Sequence, residues 1–305
     1  MEQFEVHILG CGSALPTLRH NPSSQVVNVR EKLFMIDCGE GTQLQLRRVH
    51  LKFTRLSHVF ISHLHGDHIF GLIGMISTFA LLGRTAPLHI YADRKLEGFL
   101  RPQLDLCCKE MAYEVVFHAL PRSDKSELVY EDRSVEVHTL PLRHRIPCQG
   151  FIFREKATLP HIKRDMIDFL QIPYYAIRTI KEGAGWTTPD GDFYPNDRLV
   201  TPAAPARTYA YCSDTAFVPE NVKWLKDVDL LYHEATFGQE YAGRAMETFH
   251  STARQAAEMA RAAQVRRLVL GHFSSRYDSE ASLLEEAREV FPATELACEG
   301  AVFRI

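Results

Sequence analysis

Four side chains that commonly bind metal ions lie within residues 63–68, and this run constrains the chain more than any other feature of its sequence. The run, His63-Leu64-His65-Gly66-Asp67-His68, directly follows the apolar segment 59–61, which predicts a buried strand. Side chains at the end of a strand are held in a defined direction, because the strand is rigid. Two imidazoles two residues apart can bind one ion, and a carboxylate with a further imidazole can reach a second ion beside it. Such nitrogen and oxygen ligands suit zinc, which keeps an open coordination position in catalytic sites.

The simpler interpretation of this run is a polar turn whose histidines are only solvated. The later sequence argues against it, because three more strand-like segments end in a suitable ligand. His144 follows the alternating segment 135–139, Asp214 ends the segment 207–213, and His272 follows the segment 267–271. The chain therefore contains enough ligands for two ions.

An aspartate has two carboxylate oxygens, so Asp214 is the expected bridge between the two ions. The predicted ligands of the first ion are His63, His65, His144 and Asp214. The predicted ligands of the second ion are Asp67, His68, Asp214 and His272. A thiolate ligand from Cys38 or Cys212 is the alternative, although the histidines and aspartates already fill two coordination spheres.

The composition is that of a globular enzyme. The seven cysteines include no Cys-x-x-Cys, and an odd number without paired spacing argues for reduced, mostly buried thiols. No apolar stretch reaches the roughly 18 residues that a membrane span needs, and the acidic start shows no signal peptide. We therefore expect a cytoplasmic protein. A length of 305 residues is compatible with one α/β domain over residues 1–305.

Strand and helix patterns alternate along most of the chain and predict an α/β fold, with two sheets that helices cover on both sides. The predicted strands are residues 4–9, 25–29, 33–36, 88–91, 115–120 and 135–140 in the first half, and 208–212, 230–233, 268–271 and 302–305 in the second. The predicted helices are residues 42–48, 69–82, 252–263 and 280–290. A capping box of Thr252 and Gln255 opens the third of these helices.

Several motifs together resemble a known family. The metal-binding run, His144, Asp214 and the late Gly271-His272 are similar to the metallo-β-lactamase fold. Segments 37–43, 233–236, 250–252 and 274–277 extend the similarity to the ribonuclease Z family, endonucleases that trim the 3′ end of precursor tRNA. The resemblance covers essentially the whole chain. It implies a four-layer αββα sandwich, two zinc ions per chain, precursor tRNA as substrate and a homodimer.

Residues 154–205 break the alternating pattern, since they are rich in proline, glycine and charge and contain one short helical patch at 163–170. A compact domain rarely has so long a weakly structured connection without a function. The family resemblance implies a protruding arm that grips the tRNA elbow far from the cut. This chain has Ile-Pro-Tyr-Tyr-Ala at 172–176 where the family often has glycines. A loop that closes the site or braces a dimer is the alternative.

A second departure from the family lies in residues 16–21. The family often has lysine at the third position and arginine at the fifth, in a loop that helps to reject tRNA already bearing CCA. Leu18 and His20 occupy those places here, so rejection of CCA-bearing tRNA does not follow from the resemblance. Arg19 offers a cation at the neighbouring position.

The mechanism that fits is two-metal hydrolysis of a phosphodiester, in which the ions clamp the phosphate and make the attacking water more acidic. Asp67 is the predicted general base, and His250 is the predicted proton donor to the ribose 3′-oxygen that leaves. Glu234 is predicted to orient the His250 ring or to favour its charged form. The alternatives are a helix-terminal histidine with no chemical role and a purely structural glutamate.

The net charge of −3 counts at first against an RNA substrate. Nucleic-acid affinity depends on where cations lie, however, and basic clusters occur within 47–55, 143–145 and 154–164. Each cluster taken alone is also compatible with an ordinary solvated face. Competing functions are another phosphodiesterase or nuclease of the same fold, a thioester or lactam hydrolase, and a non-catalytic RNA-binding module. The last is disfavoured because no predicted ligand is missing.

Overall fold

The computed structural model describes residues 3–108 and 110–305. The chain divides into two compact units. One is Glu155–Ala206, which we call the insertion unit. The other consists of the described residues up to Arg154 together with Arg207–Ile305, and we call it the sheet unit.

The helices and strands follow one another in a mixed order. Before the insertion they are β1 (Phe4–Gly10), β2 (Ser24–Val29), β3 (Lys32–Cys38), α1 (Thr42–Arg48), β4 (Leu56–Phe60), α2 (Gly66–Ile69), α3 (Leu72–Leu81), β5 (Leu88–Ala92), α4 (Lys95–Cys107), β6 (Val115–Ala119), β7 (Leu128–Glu131), β8 (Val135–Leu142) and β9 (Cys148–Glu155). Within the insertion they are β10 (His161–Ile162), α5 (Arg164–Phe169), α6 (Tyr174–Lys181), β11 (Trp186–Thr187), β12 (Phe193–Tyr194), α7 (Asn196–Leu199) and β13 (Val200–Thr201). After it they are β14 (Thr208–Cys212), α8 (Val222–Leu225), β15 (Leu230–Glu234), α9 (Ala242–Thr248), α10 (Ala253–Ala262), β16 (Arg267–Gly271), α11 (Ala281–Val290), β17 (Thr294–Leu296) and β18 (Val302–Arg304).

Two seven-stranded sheets form the centre of the sheet unit. The first has the order β18-β1-β2-β3-β4-β5-β6, and the second has the order β17-β16-β15-β14-β9-β8-β7. Strands β3 to β6 pair in parallel, and so do β14 to β17. The carboxyl ends of parallel strands meet at one edge of a sheet, which is where α/β proteins place their binding residues.

Alternate side chains of the central strands supply two different hydrophobic cores. In β3, Phe34 and Ile36 pack between the two sheets, where the Phe34 ring lies 5.8 Å from that of Phe153 on β9. Leu33 and Met35 point to the opposite face and pack against α1, α3 and α4. Buried alanines of α10 and α11 cover the second sheet. The layers are therefore helix, sheet, sheet and helix, and the predicted αββα sandwich is confirmed.

Most predicted elements are present, and the exceptions have physical reasons. The strand predicted at 302–305 belongs to the first sheet, where β18 pairs antiparallel with β1, and not to the second half of the fold. The helix predicted over 69–82 is split into α2 and α3. At the break, a side chain on Gly71 would put its Cβ 2.1 Å from the carbonyl oxygen of Gly39, so only glycine permits this close approach. Helices α4, α8 and α9 and strands β7, β9 and β17 of the sheet unit were not predicted.

The insertion unit is more ordered than the sequence indicated. It has three short helices, two two-stranded sheets and a small core of its own. Members of that core are Leu170, Ile172, Ala176, Ile180, Leu199 and Val200. Other large side chains remain outside it, since Tyr174 is 89% exposed and Tyr175 is 78% exposed.

No helix within residues 3–108 and 110–305 is both long and apolar enough to cross a membrane.

Candidate metal centre

All seven predicted ligands lie at the ends of elements in the sheet unit. The segment after β4 carries His63 and His65, and α2 carries Asp67 and His68. The other three ligands, His144, Asp214 and His272, lie just beyond the ends of β8, β14 and β16. The sequence places these groups up to about two hundred residues apart, and the two sheets bring them together.

One group of ligand atoms surrounds the first predicted position. His63 Nε2 lies 2.9 Å from His65 Nδ1, which is 3.3 Å from His144 Nε2. The Oδ2 oxygen of Asp214 lies 3.6 Å from His63 Nε2 and 3.7 Å from His144 Nε2. Imidazole nitrogens this close together share a small volume, in the way that ligands of one ion do.

A second group lies on the other side of the same carboxylate. The Oδ1 oxygen of Asp214 is 3.4 Å from His68 Nε2 and 3.1 Å from His272 Nε2. Asp67 Oδ2 is 3.4 Å and 3.8 Å from those two nitrogens. Asp214 thus turns one oxygen to each group, as a bridging carboxylate does.

The chemistry of the donors fits a pair of cations. Nε2 of His68 and Nε2 of His272 are buried without a hydrogen-bond partner among the described residues, an arrangement that is costly unless something else satisfies them. Burial lowers the pKa of His63 and His144, so these rings are neutral as ligands must be. Although burial opposes it, the neighbouring His272 and His68 hold the pKa of Asp214 well below its usual value.

His68 is the exception among these groups. Burial alone would lower its pKa, but the carboxylates of Asp37, Asp214 and Asp67 raise it well above the usual value. Because three carboxylates surround the His68 imidazole, a positive charge is favourable at this position. A metal ion at Nε2 provides that charge and takes the place of the proton.

A second layer of hydrogen bonds fixes the orientation of the histidine rings. The Nδ1 groups of His68, His144 and His272 donate to Asp37 Oδ2, the Phe249 carbonyl and Thr236 Oγ1 at 2.8, 3.0 and 3.0 Å. Each bond makes Nδ1 the donor and directs the ring's Nε2 at Asp214, where it can bind an ion. Such outer partners set the tautomer of metal-binding histidines.

Asp37 is the most important residue to which the sequence analysis gave no role. It is fully buried, and its carboxylate accepts hydrogen bonds from Ser62 N, Ser62 Oγ and Tyr211 Oη at 2.7–2.8 Å, in addition to His68. Its backbone φ is 55°, a conformation that aspartate tolerates better than most residues. An aspartate that ends a run of apolar strand residues was the signal that could have identified it.

His250 and Glu234 form a pair next to the metal-binding groups. Nδ1 of His250 lies 2.8 Å from Glu234 Oε1, and the ring stacks on His272 with centroids 5.5 Å apart. The Glu234 carboxylate is fully buried and also accepts hydrogen bonds from the backbone of Thr215 and from Thr236. Burial opposes protonation, but Glu234 raises the pKa of His250 to about 9.

Two roles are compatible with that position of His250. Its ring lies close enough to Asp214 and His272 to share an ion with them. Its Nδ1 is engaged by Glu234, however, which favours a charged imidazolium over a metal ligand. The structure therefore brings His250 and Glu234 together as predicted.

A cleft of about 700 Å³ opens over these groups. Three arginines line it. Arg145 belongs to a predicted basic cluster, Arg276 lies in the segment 274–277 that carries part of the family resemblance, and Arg244 was given no role in the sequence analysis. Residues 13–16 form another part of its wall, and the Ala14 amide donates to Asp67 Oδ2 at 2.9 Å. The cleft can thus hold a negatively charged group against the metal-binding residues.

The alternative thiolate ligands are not supported. Cys38 and Cys212 are both buried, and neither belongs to a group of candidate ligands among the described residues. The Cys38 thiol instead faces the sulfur of Met75 at 3.9 Å.

Comparison with known proteins supports one family. Residues 4–160 match the family model described as Anti-Pycsar protein Apyc1, and residues 199–273 match that of the Beta-lactamase superfamily domain. A protein named Ribonuclease Z from Phocaeicola vulgatus is 60% identical over 98% of this chain and 96% of its own length. The chain belongs to the ribonuclease Z family. The Ribonuclease Z of Bacteroides thetaiotaomicron is also 60% identical, over 98% of this chain and 95% of its own length.

A solved ribonuclease Z structure agrees with the fold. The crystal structure of human tRNase Z, short form, superposes with a TM-score of 0.72 at 28% identity and covers 98% of both chains. The family resemblance, the fold and the assignment to the endoribonuclease class of hydrolases are therefore confirmed. The individual roles of the metal-binding and catalytic residues remain predictions.

Proposed function

We propose that this chain removes the 3′ trailer from precursor tRNA by hydrolysis of one phosphodiester bond, with two zinc ions bound at the candidate metal centre. The observation that carries the proposal is the position of Asp214, whose two oxygens face two separate groups of ligands. Relatives named Ribonuclease Z and the human tRNase Z structure support tRNA as the substrate.

The first ion would be held by His63, His65, His144 and Asp214, and the second by Asp67, His68, Asp214 and His272. When bound, the ions would supply positive charge that polarises the scissile phosphate and makes water acidic enough to attack at neutral pH. A site with no thiolate ligand and several imidazoles suits zinc.

Asp67 is placed to take a proton from the attacking water. Its Oδ2 accepts the Ala14 amide hydrogen and faces His68 and His272, so the carboxylate is held firmly at the floor of the cleft. A carboxylate at this position is within reach of a water bound between the two groups of ligands, which is the requirement for a general base. The alternative is that Asp67 acts only as a ligand.

His250 is placed to protonate the leaving oxygen. Hydrolysis that leaves a 3′-hydroxyl on the tRNA and a 5′-phosphate on the trailer must expel a ribose oxygen, which is a poor leaving group without a proton. The Glu234 carboxylate at Nδ1 favours the charged imidazolium. Nε2 then carries the proton that is available for transfer, and His250 lines the cleft.

The rest of the substrate needs binding surfaces away from the reacting phosphate. Arg145, Arg244 and Arg276 in the cleft can contact neighbouring phosphates. The insertion unit, with its exposed tyrosines, is the proposed contact for a remote part of the tRNA. The predicted homodimer and the predicted cytoplasmic location stay predictions.

The proposal is tested by incubating the zinc-loaded protein with a precursor tRNA, bis-p-nitrophenyl phosphate and a β-lactam. We expect a single cut at the 3′ end of the tRNA, with a 3′-hydroxyl on the tRNA and a 5′-phosphate on the trailer. Fast turnover of small phosphodiesters with no cut in the precursor would instead favour another phosphodiesterase of this fold. Hydrolysis of the lactam alone would exclude a nuclease.

A further inference from the structure

A second cluster of metal-binding groups lies outside the candidate metal centre. It consists of Cys11, just after β1, His20, in the loop before β2, and Glu299, in the loop before β18. The Cys11 side chain is fully buried, and those of His20 and Glu299 are 12% and 15% exposed. These residues have no role in the proposed reaction.

The three donor atoms have the spacing of ligands around one ion. Cys11 Sγ lies 3.3 Å from His20 Nδ1 and 3.7 Å from both carboxylate oxygens of Glu299, and His20 Nδ1 lies 3.0 Å from Glu299 Oε2. Tetrahedral zinc, with bonds of about 2.3 Å to sulfur and roughly 2.0–2.2 Å to nitrogen or oxygen, places neighbouring donors roughly 3.3–3.6 Å apart. Shifts of a few tenths of an ångström would therefore admit the ion.

His20 and Glu299 each make a further hydrogen bond outside the cluster. His20 Nε2 lies 3.2 Å from Glu280 Oε1, which leaves Nδ1 to face the thiol and Glu299. Metal-binding histidines characteristically donate their second ring nitrogen to a carboxylate in this way. The Asn21 amide donates to Glu299 Oε1 at 2.8 Å and fixes that carboxylate.

We propose that Cys11, His20 and Glu299 bind a third zinc ion, separate from the two at the candidate metal centre. A water molecule or the second Glu299 oxygen completes the coordination. The ion ties together the loop after β1, the loop before β2 and the loop before β18. Residues 13–16, between two of the ligands, line the cleft, so the third ion fixes part of the cleft wall.

Protons compete with the ion for this site. Burial and the Glu299 carboxylate raise the pKa of the Cys11 thiol, and Glu299 raises the pKa of His20. Without metal, the cluster is a hydrogen-bonded latch of the three side chains. A divalent cation must displace these protons, so its binding at this site should strengthen as the pH rises.

Sulfur distinguishes this site from the candidate metal centre, whose predicted ligands are all histidine or aspartate. We would replace zinc with cobalt(II) and record the near-ultraviolet thiolate-to-cobalt charge-transfer band. Wild type should show the band, Cys11→Ser should lose it, and Cys148→Ser should keep it. Cys148 is the matched control because its thiol is also buried, and because it lies close enough to Asp214 for that carboxylate to raise its pKa. If Cys11→Ser does not fold, Glu299→Gln provides a second test, because this variant should also lose the band.

Metal analysis separates this proposal from the proposed function. Wild type should bind about three zinc equivalents, Cys11→Ser about two, and Asp214→Ala about one that retains the cobalt–thiolate band. A wild type without the band, or a band that persists in both Cys11→Ser and Glu299→Gln, would overturn the third site and leave the latch as the function of the cluster. Loss of metal from Asp214→Ala is a separate result that concerns only the two-ion centre.

Discussion

The sheet unit and the insertion unit use their polar and aromatic residues in opposite ways. In the sheet unit, the groups proposed for chemistry are buried or half-buried, and several are held by further hydrogen bonds, as His68 is by Asp37 and His250 is by Glu234. In the insertion unit, the aromatic residues Tyr174 and Tyr175 are exposed. Chemistry requires fixed geometry, whereas binding a large substrate requires accessible surface. Changes in the two units should therefore affect different kinetic quantities.

Among changes that leave all the predicted metal ligands in place, His250→Ala should produce the largest loss of activity. We expect kcat on precursor tRNA to fall by about 10²- to 10⁴-fold, the usual loss for a missing general acid, with bound zinc retained. The loss should be much smaller with bis-p-nitrophenyl phosphate, because nitrophenolate leaves without a proton. Equal losses on both substrates with zinc retained would assign His250 to positioning the phosphate, and loss of zinc would make it a ligand.

Asp37→Asn should weaken metal binding while leaving every predicted ligand in place. Asparagine tolerates the backbone conformation of Asp37, but it replaces one acceptor oxygen with an amide donor that faces His68 and Tyr211. We expect zinc affinity to fall by about 10- to 100-fold, as is usual for loss of an outer partner. Competition with a chromogenic chelator measures this, and excess zinc should restore activity. An unchanged affinity would show that the His68–Asp37 bond does not support the metal.

Replacing Tyr174 and Tyr175 by serine should change binding and not chemistry. If one of these rings stacks on a base of the substrate, KM for precursor tRNA should rise by roughly 5- to 150-fold, corresponding to about 1–3 kcal/mol per stacked base, and by more if both rings stack, with kcat nearly unchanged. Turnover of bis-p-nitrophenyl phosphate should stay at the wild-type level because this substrate has no nucleobase to stack on the tyrosine rings. Parallel losses on both substrates would mean that the insertion unit supports the structure of the sheet unit.

A pH-dependent loss of stability is predicted for the sheet unit. Burial, together with neighbouring His89 and His118, lowers the pKa of His58 to about 4, with Asp132 opposing and Arg84 adding to the shift. The ring also contacts Tyr130. The unfolded chain binds a proton near pH 6.5 and the folded chain does not, so stability falls as the pH drops from about 6.5 to 4.

Urea unfolding in the presence of a chelator measures this dependence. Each pH unit within that window should cost up to about 1.4 kcal/mol through His58, and His58→Phe should make the dependence shallower by that amount. His161→Phe is the control, because His161 is an exposed histidine of the insertion unit. If the His58 variant keeps the full slope, other groups carry the acid sensitivity.

The convergence of the seven candidate ligands could be predicted from the sequence because they follow strand-like segments, and strand ends converge in an α/β fold. Helix α10 was predicted for an equally local reason. The Thr252 side chain accepts from the Gln255 amide and the Gln255 side chain accepts in return from Thr252, so the capping box is confirmed.

Other features could not be predicted, because they depend on tertiary contacts that local sequence patterns do not show. Helix α4 contains Pro102, which argues against a helix, yet Leu96, Leu100 and Leu104 repeat every fourth residue and bury one face. The partners of the histidine rings include a backbone carbonyl at Phe249, which no sequence pattern specifies. The position of β18 beside β1 likewise depends on tertiary pairing, and not on its own residues.

The central claim is that Asp214 joins two ions in one centre. Its most direct test is the zinc content of wild type, His144→Ala and Asp214→Ala, purified in parallel and measured by inductively coupled plasma mass spectrometry. We expect His144→Ala to lose mainly one equivalent and Asp214→Ala to lose two relative to wild type, because only Asp214 contacts both groups of ligands. An Asp214→Ala protein that lost a single equivalent, or that lost none, would contradict the bridging role and with it the two-metal account.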